Sequence, residues 1–126
     1  MSTVLDSTIV IDALRMRAEA LDFLRTLRAA PVCSEATRVE VLRGLRHHEQ
    51  LRAEEFFDMA QWVPVDETIA RRAGEYGRTW RRSHPGISTE DLIIAATASE
   101  THSPLATLNV KHFPMFKGLR PPYRSI

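Results

Sequence analysis

Leu92-Ile93-Ile94-Ala95-Ala96-Thr97-Ala98 (LIIAATA, 92–98) is apolar on every side of a helical turn. A helix of that kind belongs inside a domain, not on its surface, and the spacing predicts it over about Thr89 to Thr101. What could bury it on all sides is decided by its neighbours. Downstream, Pro104 ends the helix, and Leu105-Ala106-Thr107 reads as a strand followed by Asn109 and a short helical turn. Upstream lies a His84-Pro85-Gly86 loop, preceded by a helix from the cap Asp66 to about Arg82. Before that stands WVPV (62–65), a strand weakened by Pro64 and therefore expected at a sheet edge.

The N-terminal half repeats the alternation. TVLD (3–6) is a short strand ending in an acid, and STIVIDAL (7–14) opens a helix. A second amphipathic helix is expected over 17–29, with Leu21, Leu24 and Leu27 at helical spacing and Pro31 beyond its end. Val32-Cys33-Ser34 is the next strand, and Ser34 suits the N-cap of a helix to about His47 with Val39, Leu42 and Leu45 on one face. Residues 49–60 continue as a polar helix that brings Phe56 and Phe57 for packing. The tail RPPY (120–123) cannot form a central strand. Strands alternating with helices through short connections predict a parallel sheet covered by helices on both faces. Sites in such folds form at the carboxyl ends of the strands, where Asp6, Ser34 and Asn109 stand.

Composition bounds the rest. The chain has 126 residues, 44% hydrophobic and 26% charged, as expected of one globular domain over residues 1–126. No apolar run approaches the ~20 residues that cross a bilayer, and no basic segment leads into an apolar one at the N-terminus. Cys33 is the single cysteine, which excludes an intrachain disulfide framework and a cysteine zinc site. A cytoplasmic protein without membrane association is the expectation.

The net charge of +1 hides opposed parts. Residues 49–67 hold six acids (Glu49, Glu54, Glu55, Asp58, Asp66, Glu67) against Arg52 alone. Residues 68–84 hold Arg71, Arg72, Arg78, Arg81 and Arg82 against Glu75 alone. Of the 17 basic residues 15 are arginine, the side chain suited to bidentate phosphate contacts, although a GC-rich genome would produce the same bias. The basic stretch reads either as a solvated helix face or as a phosphate-binding one.

Three carboxylates border apolar elements, and each has an ordinary structural role available. Asp6 can cap the helix beginning at Ser7, Glu40 can pair with Arg43 one turn on, and Ser88-Thr89-Glu90-Asp91 has the form of a capping box. Taken together, they come from separate elements that a parallel sheet brings to one edge. Carboxylates gathered there repel one another unless a hard cation neutralises them, and oxygen-only ligands select Mg²⁺ or Mn²⁺ over zinc or copper.

These residues resemble the PIN-domain ribonucleases, and within them the VapC-type toxins of bacterial toxin–antitoxin pairs. VLDSTIVID (4–12) is similar to the opening motif, with Asp6 its acid; SEATRVEVLRGL (34–45) to the second, through Ser34, Thr37, Glu40 and Gly44. EDLIIAATA (90–98) is similar to the third, with Asp91, and TLNVKHF (107–113) to the closing segment, with Thr107, Asn109 and Phe113. His112 stands where many relatives carry a fourth acid.

The resemblance implies a three-layer α/β/α PIN-like fold with a central parallel sheet of about four to five strands. It implies an Mg²⁺- or Mn²⁺-dependent endoribonuclease that inhibits translation and growth, with Asp6, Glu40 and Asp91 as metal ligands and Asn109 beside them in catalysis. Thr37, Arg78, Arg81 and Arg82 are the expected substrate contacts. The partners implied are an RNA substrate, a VapB-type antitoxin and a second copy of the chain. The other functional reading is a PIN-like module that binds RNA or protein without cutting.

The remaining signals are weaker. His47 and His48 are adjacent and point to different helix faces, and no G-x-S-x-G turn surrounds Ser7. Trp62, Trp80, Phe56 and Phe57 read as packing residues. No glycine-rich phosphate loop of the P-loop or dinucleotide type is present, which weighs against an NTPase or a Rossmann dehydrogenase.

Overall fold

A computed structural model describes residues 2–124. Four short parallel strands form the centre: β1 (Val4–Leu5), β2 (Val32–Ser34), β3 (Gln61–Val63) and β4 (Leu105–Ala106), in the order β3-β2-β1-β4. Val4 pairs with Val32 on one side and Leu105 on the other, while Cys33 pairs with Trp62. The strand ending at Val63 is an edge strand, with Pro64 directly after it, as its sequence required.

Between β1 and β2 run α1 (Ser7–Leu14) and α2 (Ala18–Arg25). A tight turn at Met16, with φ of 61°, separates the two helices. Between β2 and β3 run α3 (Glu35–Arg43), a 3₁₀ turn (His47–Glu49) and α4 (Gln50–Met59). The chain then passes through α5 (Glu67–Trp80) and α6 (Thr89–Glu100) to β4, and a second 3₁₀ turn (Val110–His112) follows.

Alternation along the strands divides the core in two. Leu5, Cys33 and Ala106 face α1, α3 and α4, packing with Ile9, Val10, Val41, Phe56 and Phe57. Val4, Val32 and Leu105 face the other way, onto Ile94, Ala95 and Ala98 of α6. The helix over 89–100 is thus held between the sheet and α5, and its residues from Ile94 to Ala98 are all buried. Trp62 donates to the Phe57 carbonyl at 2.8 Å and stacks edge-on against Phe56 and Phe57, a packing role.

Strand order runs outward from β1 to β2 and β3, then jumps back to β4. The switch point lies between β1 and β4, and crevices form there at the carboxyl ends of the strands.

Two expectations need correction. The helices predicted over 17–29 and 34–47 are shorter, ending at Arg25 and Arg43. Thr26 turns its hydroxyl onto the Phe23 carbonyl, and Gly44 closes α3, so both chains leave the helix early. More consequential is the face of α3. Val39 and Leu42 are 64% and 48% exposed, whereas Thr37 and Val41 are buried. The inner side of this helix is partly polar because Thr37 and Glu40 meet Ser7 there. Counting apolar residues therefore selected the wrong side.

Candidate active site

Asp6 ends β1 and caps α1, with only 3% of its surface exposed. Three donors hold it: the Ser7 amide at 2.8 Å on Oδ1, and the Thr107 and Thr8 hydroxyls at 2.7 and 3.1 Å on Oδ2. Burial pushes its carboxyl above the usual range; the hydroxyls of Thr107 and Thr8 pull it back, and the nearby Asp91 carboxylate pushes it up again. No arginine or lysine among the described residues forms an ion pair with it.

Glu40 reaches the same edge from α3. Its Oε1 accepts a 3.0 Å bond from Ser7 Oγ, which also lies 3.2 Å from Thr37 Oγ1. Partial burial raises the Glu40 carboxyl, the Ser7 hydroxyl lowers it, and the charges of Asp6 and Glu90 raise it further. Arg43, one turn on, stands 4.0 Å from Oε2 with its side chain 70% exposed, so it offsets little of that charge.

Asp91 arrives at the first turn of α6. Its carboxylate accepts from the Ser88 amide at 3.0 Å while Ser88 Oγ accepts from the Asp91 amide at 3.1 Å. The capping box read from the sequence is therefore formed. The same Oδ2 lies 3.1 Å from His112 Nδ1. Asn109 enters through its backbone: its amide donates to Thr107 Oγ1 at 3.0 Å, fixing the hydroxyl that holds Asp6.

The remaining predicted residues separate into two groups. Thr37, expected as a substrate contact, is fully buried, with its hydroxyl 3.2 Å from Ser7 Oγ, the group that donates to Glu40. Arg78, Arg81 and Arg82 are exposed at the end of α5. Arg78 and Arg81 line a groove with Thr89, Leu92 and Ile93 of α6, beside the turn that carries Asp91. None of the three forms an ion pair among the described residues, whereas Arg71 is paired with Glu67 and Arg72 with Glu100. Sequence reasoning missed two features: the Thr107 clamp on Asp6 and the contact of His112 with Asp91. A threonine at a strand exit, two residues before Asn109, was the available signal for the first.

Whether these residues suit a metal depends on donor type and on arrangement. The type fits a hard divalent cation: three carboxylates, of which Asp6 is raised by burial and by Asp91, and Glu40 by burial and by Asp6 and Glu90. As they stand, the side chains are tied to Ser7, Ser88 and the two threonines. Among the described residues no three His, Cys, Asp or Glu side chains converge to enclose an ion.

The PIN-domain family profile matches residues 3–114. Over 123 residues the chain is 42% identical to Ribonuclease VapC19 of Mycobacterium tuberculosis, covering 95% of this chain and 98% of that one. Over 122 residues it is 40% identical to Ribonuclease VapC10 of the same organism, covering 95% and 92%. In three dimensions it is similar to a chain of a toxin–antitoxin complex from Klebsiella pneumoniae, with a TM-score of 0.85, 26% identity, and 98% and 100% of the two chains covered. A chain of a DNA-bound VapBC from Salmonella typhimurium shares the fold at a TM-score of 0.80 and 17% identity, with 96% of each chain covered. With the profile spanning residues 3–114 and relatives at 40–42% identity along nearly the whole length, this chain belongs to the PIN-domain family, on its VapC branch.

Proposed function

We propose that this chain is the toxin of a type II toxin–antitoxin pair: an endoribonuclease, dependent on Mg²⁺ or Mn²⁺, that hydrolyses RNA phosphodiester bonds and so arrests translation and growth in the cytoplasm. The observation that carries this reading is the buried Asp6 carboxylate, without an ion-pair partner among the described residues, at the switch point beside Glu40 and Asp91. Burying a charge this way costs stability and is retained where the charge has work to do. The kinship to Ribonucleases VapC19 and VapC10 supports the RNA substrate. Likeness to a chain of a toxin–antitoxin complex supports a VapB-type partner, and a homodimeric toxin belongs to the same proposal.

Asp6, Asp91 and Glu40 would hold the cation, which when bound supplies an acidified water and charge stabilisation at the phosphate. The chain's own residues do the rest. Thr107, Thr8 and the Ser7 amide fix the Asp6 carboxylate, and Asn109 fixes Thr107. Ser7 holds Glu40 by Oε1, and Oε2 lies 4.0 Å from the exposed Arg43 guanidinium. Arg78, Arg81 and Arg82 would take RNA phosphates beside the turn that carries Asp91.

Incubating the purified chain with total RNA, with and without Mg²⁺ or Mn²⁺, tests the reading. Cleavage that leaves 5′-phosphate and 3′-hydroxyl ends, stops with EDTA, and is lost in Asp6→Asn and Asp91→Asn is the expected result. Cleavage unchanged in both variants would refute the site. A second reading, a module that binds without cutting, is favoured by the engagement of Asp91 with Ser88 and His112. Absence of Mn²⁺ affinity in calorimetry would select it.

A further inference from the structure

We infer, resting on the RNA-cleaving function proposed above, that the His84 imidazole is a stacking platform for an unpaired base of the RNA. It stands between the arginines that end α5 and the turn that carries Asp91. The loop joining α5 to α6 puts it there. The His84 carbonyl accepts the Ile87 amide at 3.1 Å, closing a tight turn on the buried Ile87, and Ser88 follows. Ser88 is the residue that exchanges hydrogen bonds with Asp91. Gly86, within the same turn, stands against His112: a Cβ there would lie 3.6 Å from its Nε2. The loop of His84 is therefore part of the rim of the acidic edge.

The ring is also fixed in orientation. Ser83 Oγ lies 2.8 Å from His84 Nδ1 and donates its own proton to the Trp80 carbonyl at 3.2 Å. It therefore accepts from Nδ1–H. The same carbonyl takes the His84 amide at 2.8 Å. Trp80 packs against the cluster of Ile69, Ala73, Ile87 and Leu92, and its ring meets the imidazole edge-on, 5.7 Å between centroids at 79°. A side chain held in this way loses little freedom on binding. An edge-to-face contact covers at most one face of the imidazole. His84 is half-buried, while Arg81, Arg82, Ser83, Pro85 and Gly86 around it are exposed. Trp80 is thus the packing residue, and the histidine set against it reaches solvent beside two arginines without ion-pair partners among the described residues. A flat ring next to phosphate-binding side chains is the composition of a single-strand site, since every base has a face to stack. A duplex keeps its bases stacked on one another and would not offer one.

Titration of the full chain, in EDTA so that cleavage does not intervene, into short oligouridylates that carry a single 2-aminopurine tests the inference. The fluorescence of that base falls when it stacks. With the probe base walked along the strand, wild type is expected to quench it at one position. In His84→Ala the quenching disappears and affinity falls about tenfold, whereas His84→Phe keeps both. The slope of log affinity against log salt stays the same in His84→Ala, because a stacking contact releases no counterions. Binding by wild type without quenching at any position, or equal affinity and quenching in His84→Ala, overturns the role of His84 and leaves the nuclease reading standing. RNA neither bound nor, with Mg²⁺ or Mn²⁺ restored, cleaved by wild type overturns both. The quenching measurement on wild type requires no variant to fold.

Discussion

Thr107 Oγ1 donates a 2.7 Å hydrogen bond to Asp6 Oδ2, tying the exit of β4 to the end of β1 across 101 positions of sequence. Both groups are buried, and Thr107 in turn accepts from the Asn109 amide. The bond joins the two strands that flank the topological switch point, so the placement of the buried acid depends on sheet pairing as much as on the acid itself.

Thr107→Val keeps the shape of the side chain and removes the hydroxyl. Asp6 loses its shortest donor and the Asn109 amide loses its acceptor, a cost of about 1–3 kcal/mol in urea denaturation. Since that hydroxyl pulls the Asp6 carboxyl downward, its loss lets the carboxyl climb further. The acid limb of the RNA-cleavage profile is expected to move to higher pH, and Thr107→Ser to restore it. An unmoved limb would show that Thr107 does not control Asp6.

The raised Asp6 carboxyl also fixes a sign for stability. The folded state binds the Asp6 proton more tightly than the unfolded chain, whose ordinary value is 3.8. Its contribution is therefore complete below that value and lost as pH rises through the raised folded value. Without divalent ions at pH 7, Asp6→Asn is expected to melt above wild type, and the gap to close as pH falls toward 3.8. Excess Mn²⁺ should reverse the order at neutral pH, since only wild type is stabilised by binding. Thermal melts of both proteins across pH decide the matter.

Arg78, Arg81 and Arg82 replaced together by alanine are expected to raise KM for RNA with kcat preserved. For a single strand, three lost phosphate contacts lower the slope of log affinity against log salt by about 2. Arg71→Ala, which removes a side chain already paired with Glu67, is the control and should change binding little. Filter binding between low and moderate salt measures both slopes. An unchanged slope in the triple variant would move the RNA path elsewhere.

The orientation of α3 is equally open to measurement. Val41→Ala, at a side chain with 2% exposure, should cost about 1–3 kcal/mol. Val39→Ala, at 64% exposure, should stay within about 0.5 kcal/mol. The reverse order would mean that Val39 and Leu42 pack inward, as the bare spacing of apolar residues suggests.

Local chemistry was legible in the sequence wherever a few neighbouring residues decide the outcome. The caps Asp6, Ser34, Asp66 and Ser88 start their helices as read, because a cap bonds to an amide within three positions. The all-apolar run at 92–98 could be satisfied only by burial, and the alternation of strand and helix left a parallel sheet as the way to bury it. The order of strands then brings the acids of three separate segments to one edge. What only the tertiary structure decided were partners chosen across the fold: Thr107 for Asp6, Ser7 for Glu40, His112 for Asp91, and the inner face of α3. Helix periodicity and capping act over a few residues of chain, whereas these contacts span from 21 to 101 positions and form only once the sheet has set the distances.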